Sequence, residues 1–180
     1  MTKRTIQLNG IKVRVQETDF GDFLCITDLA KVIGDKTGKI IANWFRLIST
    51  IEYLKEWELK YNAADFNVLR YEDIRIQAGT LSFSLSAKKW IDDTNAKGII
   101  SEAGRYGGTY AHNAIAIEFC TAISPAFKLG VYTDYLELKE HQAQQWLKSY
   151  QFYLDKLENT TLEANKIAQD LKDGLKKLDK

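Results

Sequence analysis

One proline, one methionine, two histidines and two cysteines are all that this 180-residue chain holds of those four types. Cys25 and Cys120 lie far apart in apolar settings. Two such residues make neither a disulfide framework nor a zinc site, and they read as buried, reduced thiols. Excess charge is missing too. The 25 Lys and Arg against 24 Asp and Glu leave a net charge of +1. That balance lacks the strongly basic signature of many nucleic-acid binders and leaves room only for a local patch. No apolar run approaches membrane-spanning length. The first residues, MTKRTIQLNG, lack the apolar core of a signal peptide, so a cytoplasmic protein is expected. A P-loop lysine motif, GxSxG, HExxH and paired CxxC are all absent. A triad would have to recruit His112 or His141, and no nucleophile stands at recognisable spacing from either. No catalytic residue, cofactor or metal is expected.

Apolar residues make up 45% and aromatics 12% of the chain. That suffices for a real core, so the chain is not disordered. Its length suits one domain with an appendage, or two very small domains. The segment TIQLNGIKVRVQ, residues 5–16, alternates apolar and polar on both sides of Asn9-Gly10. Asn-Gly between alternating runs predicts a two-residue β-hairpin, because the turn needs two positive φ angles. A third short strand is expected over 23–26. Thr27 to Gly34 reads as a short helix with Thr27 or Asp28 as cap and Gly34 as stop. A polar link over 35–39 leads into a second helix, Ile40 to Ile48. Two short helices joined by a Gly-containing link match a helix-turn-helix, a pattern many folds also contain.

Ser49-Thr50-Ile51-Glu52 is a capping-box pattern. It predicts a helix to about Leu59 with Glu52, Lys55, Glu56, Glu58 and Lys60 on a solvated face. A loop follows to Asn67, then a helical turn over 71–79. Residues 82–86 form a short strand or an extended link. Ser86 caps a helix over 87–96 that Gly98 closes. Lys88 and Lys89 at its start either flank a core Trp90 or touch phosphate. Ile99-Ile100 and Thr109-Tyr110-Ala111 read as the arms of a second hairpin, with Gly104 to Gly108 at its tip. His112 opens the next helix and reads as a packing or capping residue. That helix stops at Ser124-Pro125, which restarts another.

From Ala126 the chain reads as helical. Leu136, Ala143, Leu147, Tyr150, Leu154, Leu157, Thr161, Ala164, Ala168, Leu171, Leu175 and Leu178 follow a 3-4 spacing, broken at Glu140. Two readings stay open. One is a continuous helix that pairs with another chain. The other is a break near Asn159, where Thr160 to Glu163 offers a second capping box.

Exposed cations and a glycine-rich tip invite a nucleic-acid reading. Lys36, Lys39, Asn43 and Arg46 lie on or near the second helix of the pair. Asn43 and Arg46 share a face at i, i+3, and suit adenine and guanine edges. The alternative is an ordinary polar helix face. Arg105 and Tyr106 at the tip, with the Gly107 and Gly108 backbone, could lie on phosphate or in a minor groove.

The segments GRYGGTYAH and ISPAFKL, with ITDLAKVIG and SFSLSAKKWIDDTNAKGIISEAG upstream, resemble the KilA-N domain of phage, prophage and large DNA-virus proteins. The family usually has Trp before ISP, where this chain has Ala122. The resemblance covers roughly residues 1–140. It implies an α+β, winged helix-turn-helix-like domain with an N-terminal β-hairpin, related to the DNA-binding domain of APSES transcription regulators. Residues 141–180 are then a helical tail, a possible coiled coil and homodimer contact. The implied partner is double-stranded DNA, and the implied role is regulation of a prophage or mobile element. Recognition would fall to Lys39, Asn43 and Arg46, with Lys36, Lys88, Lys89, Arg105, Tyr106, Gly107 and Gly108 as further contacts. The competing reading is a protein-interaction regulator, antirepressor-like, that works through the tail with little affinity for DNA.

Overall fold

The computed structural model describes residues 2–8, 10–78, 80, 82–104 and 107–178, with backbone alone over 172–178. The fold is α+β. Alternation builds the first hairpin, β1 (Lys3–Leu8) and β2 (Ile11–Thr18), with Ile6 opposite Val13 and Leu8 opposite Ile11. Gly10 takes φ +81°, the left-handed region the turn demands. Asn9 lies outside the described residues. β3 (Gly21–Cys25) continues the meander.

The second hairpin, β4 (Ile99–Glu102) and β5 (Gly108–His112), completes a five-stranded antiparallel sheet. Its order is β1-β2-β3-β5-β4, so β5 inserts between β3 and β4. Cross-strand partners share a face. Val15, Leu24, Ala111 and Ile99 are aligned by register on one side. Cys25, Tyr110 and Ile100 align on the other, where Phe23 joins them in a small cluster.

Helices cover the first side: α1 (Ile26–Ala30), α2 (Thr37–Phe45), α3 (Ile48–Tyr61), α4 (Val68–Gln77), α5 (Ala87–Thr94) and α6 (Asn113–Ile123). Trp44, Phe45, Ile51, Leu54, Trp57, Tyr71, Trp90, Ile115 and Phe119 fill the core. Each such side chain contributes about 2 kcal/mol by leaving water. The Trp44 ring meets Phe119 edge-on at 5.2 Å.

Several boundaries move. α1 ends at Ala30, and Lys31 to Ile33 form a turn whose N–H groups bond back to Asp28, Leu29 and Ala30. Thr27 does not cap it, because its hydroxyl accepts from the Thr109 N–H instead. α2 starts at Thr37, a turn earlier than apolar spacing marks. The Ser49 capping box is not formed. Leu47 takes the cap position without a side-chain bond, Thr50 is buried, and Glu52 pairs with Arg75 at 3.4 Å. Asn67 caps α4 by accepting from the Arg70 N–H, so that helix begins at Val68. Asn95, at φ 55°, ends α5 where Gly98 was expected to. Gly98 is needed for space: a Cβ there would sit 2.6 Å from the Trp57 ring. Two local caps form as read. Ser86 accepts from the Lys89 N–H, and Ser124 accepts from the Phe127 N–H.

Residues 2–128 and 129–178 form separate compact units. α7 (Pro125–Leu178) runs as one helix through Asn159. Thr160 and Thr161 donate their hydroxyls back to the Lys156 and Leu157 carbonyls, an in-helix use that replaces a cap.

Candidate nucleic-acid interface

Helix α2 presents two faces because Ile41, Trp44 and Phe45 must be buried. That rotation leaves Lys39, Ala42 and Asn43 in water, with exposed Lys36 and Arg46 at its two caps. No carboxylate occurs between Asp35 and Glu52, or between Asp73 and Asp92, or between Glu102 and Glu118. The near-neutral chain therefore keeps carboxylate-free stretches over α2, the start of α5 and residues 103–117, while β4 itself ends on Glu102, which pairs with Lys3 at 2.7 Å.

These three elements border one groove of about 260 Å³. Thr37, Gly38 and Ala42 line it from α2, Ser86 and Lys88 from α5, and Ser101 and Thr109 from the hairpin. Lys88 is thus brought to the hairpin and α2. Lys89, on the same first turn, is exposed outside the groove lining. Lys36, Lys39, Asn43 and Arg46 lie along α2 and its caps, also outside that lining. Arg105 and Tyr106 lie outside the described residues.

The hairpin is held to α1 by contacts that sequence reading missed. Arg14 of β2 donates through Nε to Asp28 Oδ2 at 2.7 Å and through Nη2 to Asp28 Oδ1 at 3.0 Å. Its Nη1 donates to the Gly107 carbonyl at 3.1 Å, and its guanidinium lies 5.7 Å from the Tyr110 ring centroid. Lys31 adds a bond to Asp28 at 2.8 Å. Burial pushes the Asp28 carboxyl up, but the Arg14 and Lys31 bonds outweigh it and hold the group well below the usual carboxylate range. The same carboxylate raises Arg14 above its ordinary value. Alternation along β2 does put Arg14 on the face opposite Val13, but nothing local reveals a partner 93 residues away.

The tip glycines are a matter of space. A Cβ on Gly107 would overlap the Glu102 carbonyl oxygen, and one on Gly108 would sit 3.0 Å from Cys25 Sγ and 3.1 Å from Arg14 Nη2. The Gly107 N–H is used inside the hairpin, donating to Gly104 O at 3.0 Å. Gly104 takes φ +101°.

Two polar groups, one buried and one half-buried, fix the hairpin's far ends. Glu58 was expected on a solvated face, and the structure corrects this: it is fully buried. It accepts from the Lys97 and Gly98 N–H groups and from Asn62 Nδ2 at about 3 Å. Burial raises its carboxyl above the ordinary value against those bonds. Ile51, Leu54 and Glu58 share one helix face at i, i+3 and i+7, so spacing did carry the signal. At the other end His112 caps α6. Its Nδ1 accepts from the Ala114 N–H at 3.2 Å and from Trp57 Nε1 at 3.0 Å. Burial lowers its basicity, against a hydrogen bond with the Phe20 backbone.

Among the described residues no three His, Cys, Asp or Glu side chains gather as metal ligands, and no helix is long and apolar enough to cross a membrane. Both cysteines are unpaired, and burial pushes the Cys120 thiol up to about 11.

Comparison with known proteins adds to this geometry. The KilA-N domain family model matches residues 6–141. Protein kilA of Escherichia phage P1 is 38% identical over 65 residues, which are 34% of this chain and 24% of that protein. The match thus spans about a quarter of that relative's length. No solved structure matches the chain significantly.

Proposed function

The chain belongs to the KilA-N domain family, and from that premise we propose that it binds double-stranded DNA as a regulator of a prophage or other mobile element. In this reading α1, the turn and α2 act as a helix-turn-helix, and the β4–β5 hairpin acts as a wing. Lys39, Asn43 and Arg46 meet base edges in the major groove, with Lys36 at the helix entry. Lys88 and Lys89 contact phosphate at the start of α5. Arg105 and Tyr106 reach phosphate or the minor groove, and Gly107 and Gly108 let the hairpin backbone approach closely. The observation that carries the reading is the shared groove, bordered by α2, Lys88 and the hairpin strands.

The test is binding to random duplex across salt. A phosphate-contacting protein loses affinity with a log–log slope of about −0.9 per phosphate. Arg105→Ala should flatten that slope by about one unit. Absence of binding at low salt would sink the proposal.

Self-association through α7 belongs to the same proposal, with pairing of two binding units raising apparent affinity. Its support is an apolar stripe left in water, with Trp146 78% and Leu147 68% exposed. The same stripe favours a second reading, a protein-interaction regulator that works through α7 with little DNA affinity. Sedimentation of the full chain against one ending at His141 tests the role of the tail. Equal, monomeric behaviour of both would refute self-association.

A further inference from the structure

Over α7 the seam is uneven in a way that selects an orientation. From Leu147 to Leu157 its positions are bulky: Leu147, Tyr150, Leu154 and Leu157, all more than 40% exposed. From Thr161 to Ala168 they are small: Thr161, Ala164 and Ala168. A second row runs beside the seam at seven-residue spacing, with Trp146, Tyr153, Thr160 and Ile167. Trp146 is 78% and Ile167 61% exposed. Every residue named in the two rows is exposed.

A parallel, in-register pair sets every layer against itself. Three small layers would then follow one another and leave voids, which cost stability in proportion to the volume left empty. Glu140 would also face Glu140 at a seam position, where like charges repel. An antiparallel pair does the opposite. With Leu154 set against Leu157 of the second copy, Leu147 falls on Ala164 and Tyr150 on Thr161. Ala143 falls on Ala168, and that thin layer is flanked by Trp146 against Ile167. Glu140 meets Leu171 and no second carboxylate. One register thus puts large on small in the outer layers and fills the single small-on-small layer from the side row.

We propose that α7 pairs with α7 of a second copy of this chain in antiparallel orientation, in this register. The proposal rests on the self-association put forward above and adds direction and register to it. Two measurements keep the two claims apart. Sedimentation of the full chain should give the mass of two chains, and a monomer overturns both. Oxidative cross-linking then reads the orientation. Chains carrying Leu147→Cys and chains carrying Ala164→Cys, with different tags, should link to each other when mixed. Neither should link to itself beyond the level of the unsubstituted chain, which carries Cys25 and Cys120 as the blank. Both substituted positions are exposed on the helix, and circular dichroism checks that each variant keeps its helix. A Leu147→Cys chain that links to its own kind identifies a parallel pair and overturns the orientation. A dimer in which neither kind of link forms overturns the register.

Discussion

Replacing Asp28 by Asn keeps shape and removes charge at the junction of β2, α1 and the β4–β5 hairpin. The carboxylate accepts four bonds: Arg14 N at 3.2 Å, Arg14 Nε at 2.7 Å, Arg14 Nη2 at 3.0 Å and Lys31 Nζ at 2.8 Å. An amide offers one acceptor oxygen and turns its NH₂ toward the guanidinium. Breaking a buried ion pair costs about 3–5 kcal/mol. The Asp28 side chain is only 4% exposed, but the Arg14 side chain is 32% and the Lys31 side chain 60% exposed, so both cations recover hydration. We therefore expect a loss of about 2 kcal/mol at pH 7, read as a drop of about 1 M in the urea midpoint. The sign with pH follows from linkage. The folded carboxyl titrates below its unfolded value of about 3.9. Its stabilisation is full above about pH 5 and is lost as pH falls through the lowered folded value. The gap between the natural chain and Asp28→Asn should narrow below about pH 4. A gap under about 0.5 kcal/mol at pH 7, or one equal at pH 3 and pH 7, would refute the reasoning.

Three further outcomes are expected. Gly107→Ala should cost about 2 kcal/mol and shift the amide resonances of the hairpin, because its Cβ overlaps the Glu102 carbonyl; unchanged spectra would count against the steric argument. His112 should titrate below the ordinary value of about 6.5 with its proton on Nε2, so its contribution is complete above that value and lost as pH falls through the lowered one. Nitrogen chemical shifts read both, and a His112 value above the ordinary one contradicts the account. Glu58→Ala should destabilise by about 3 kcal/mol through orphaned N–H groups on Lys97, Gly98 and Asn62. Glu56→Ala, whose side chain is 68% exposed, should stay within about 0.5 kcal/mol; equal losses at both positions would show that burial is not the cause.

What could be read from sequence divides by range. The first hairpin, the Ser86 cap and the Ser124-Pro125 restart depend on residues a few positions apart, and all three formed. The capping box at Ser49 failed because burial of Thr50 and Ile51 set the helix rotation first. Glu58 was legible in its spacing from Ile51 and Leu54, but its charge pointed the wrong way. The Arg14–Asp28–Gly107 contacts and the Thr27–Thr109 bond were not legible. They join segments separated by up to 93 residues, and no local pattern encodes a partner at that distance. The cations of α2 were legible as exposed, since Ile41, Trp44 and Phe45 claim the other side.

The insertion of β5 between β3 and β4 has a consequence for how the protein comes off the ribosome. β3 is complete at Cys25, but the strand that covers its open edge begins at Gly108. At about 5–20 residues per second, that edge stays unpaired for on the order of ten seconds. Such an edge is a template for pairing with other chains. Arg14 and Thr27 wait over the same interval for the Gly107 carbonyl and the Thr109 N–H. The groove-bordering hairpin is therefore among the last parts of the N-terminal unit to be locked. A nascent chain stalled before Gly108 carries an unfinished sheet, prone to aggregate until β5 arrives.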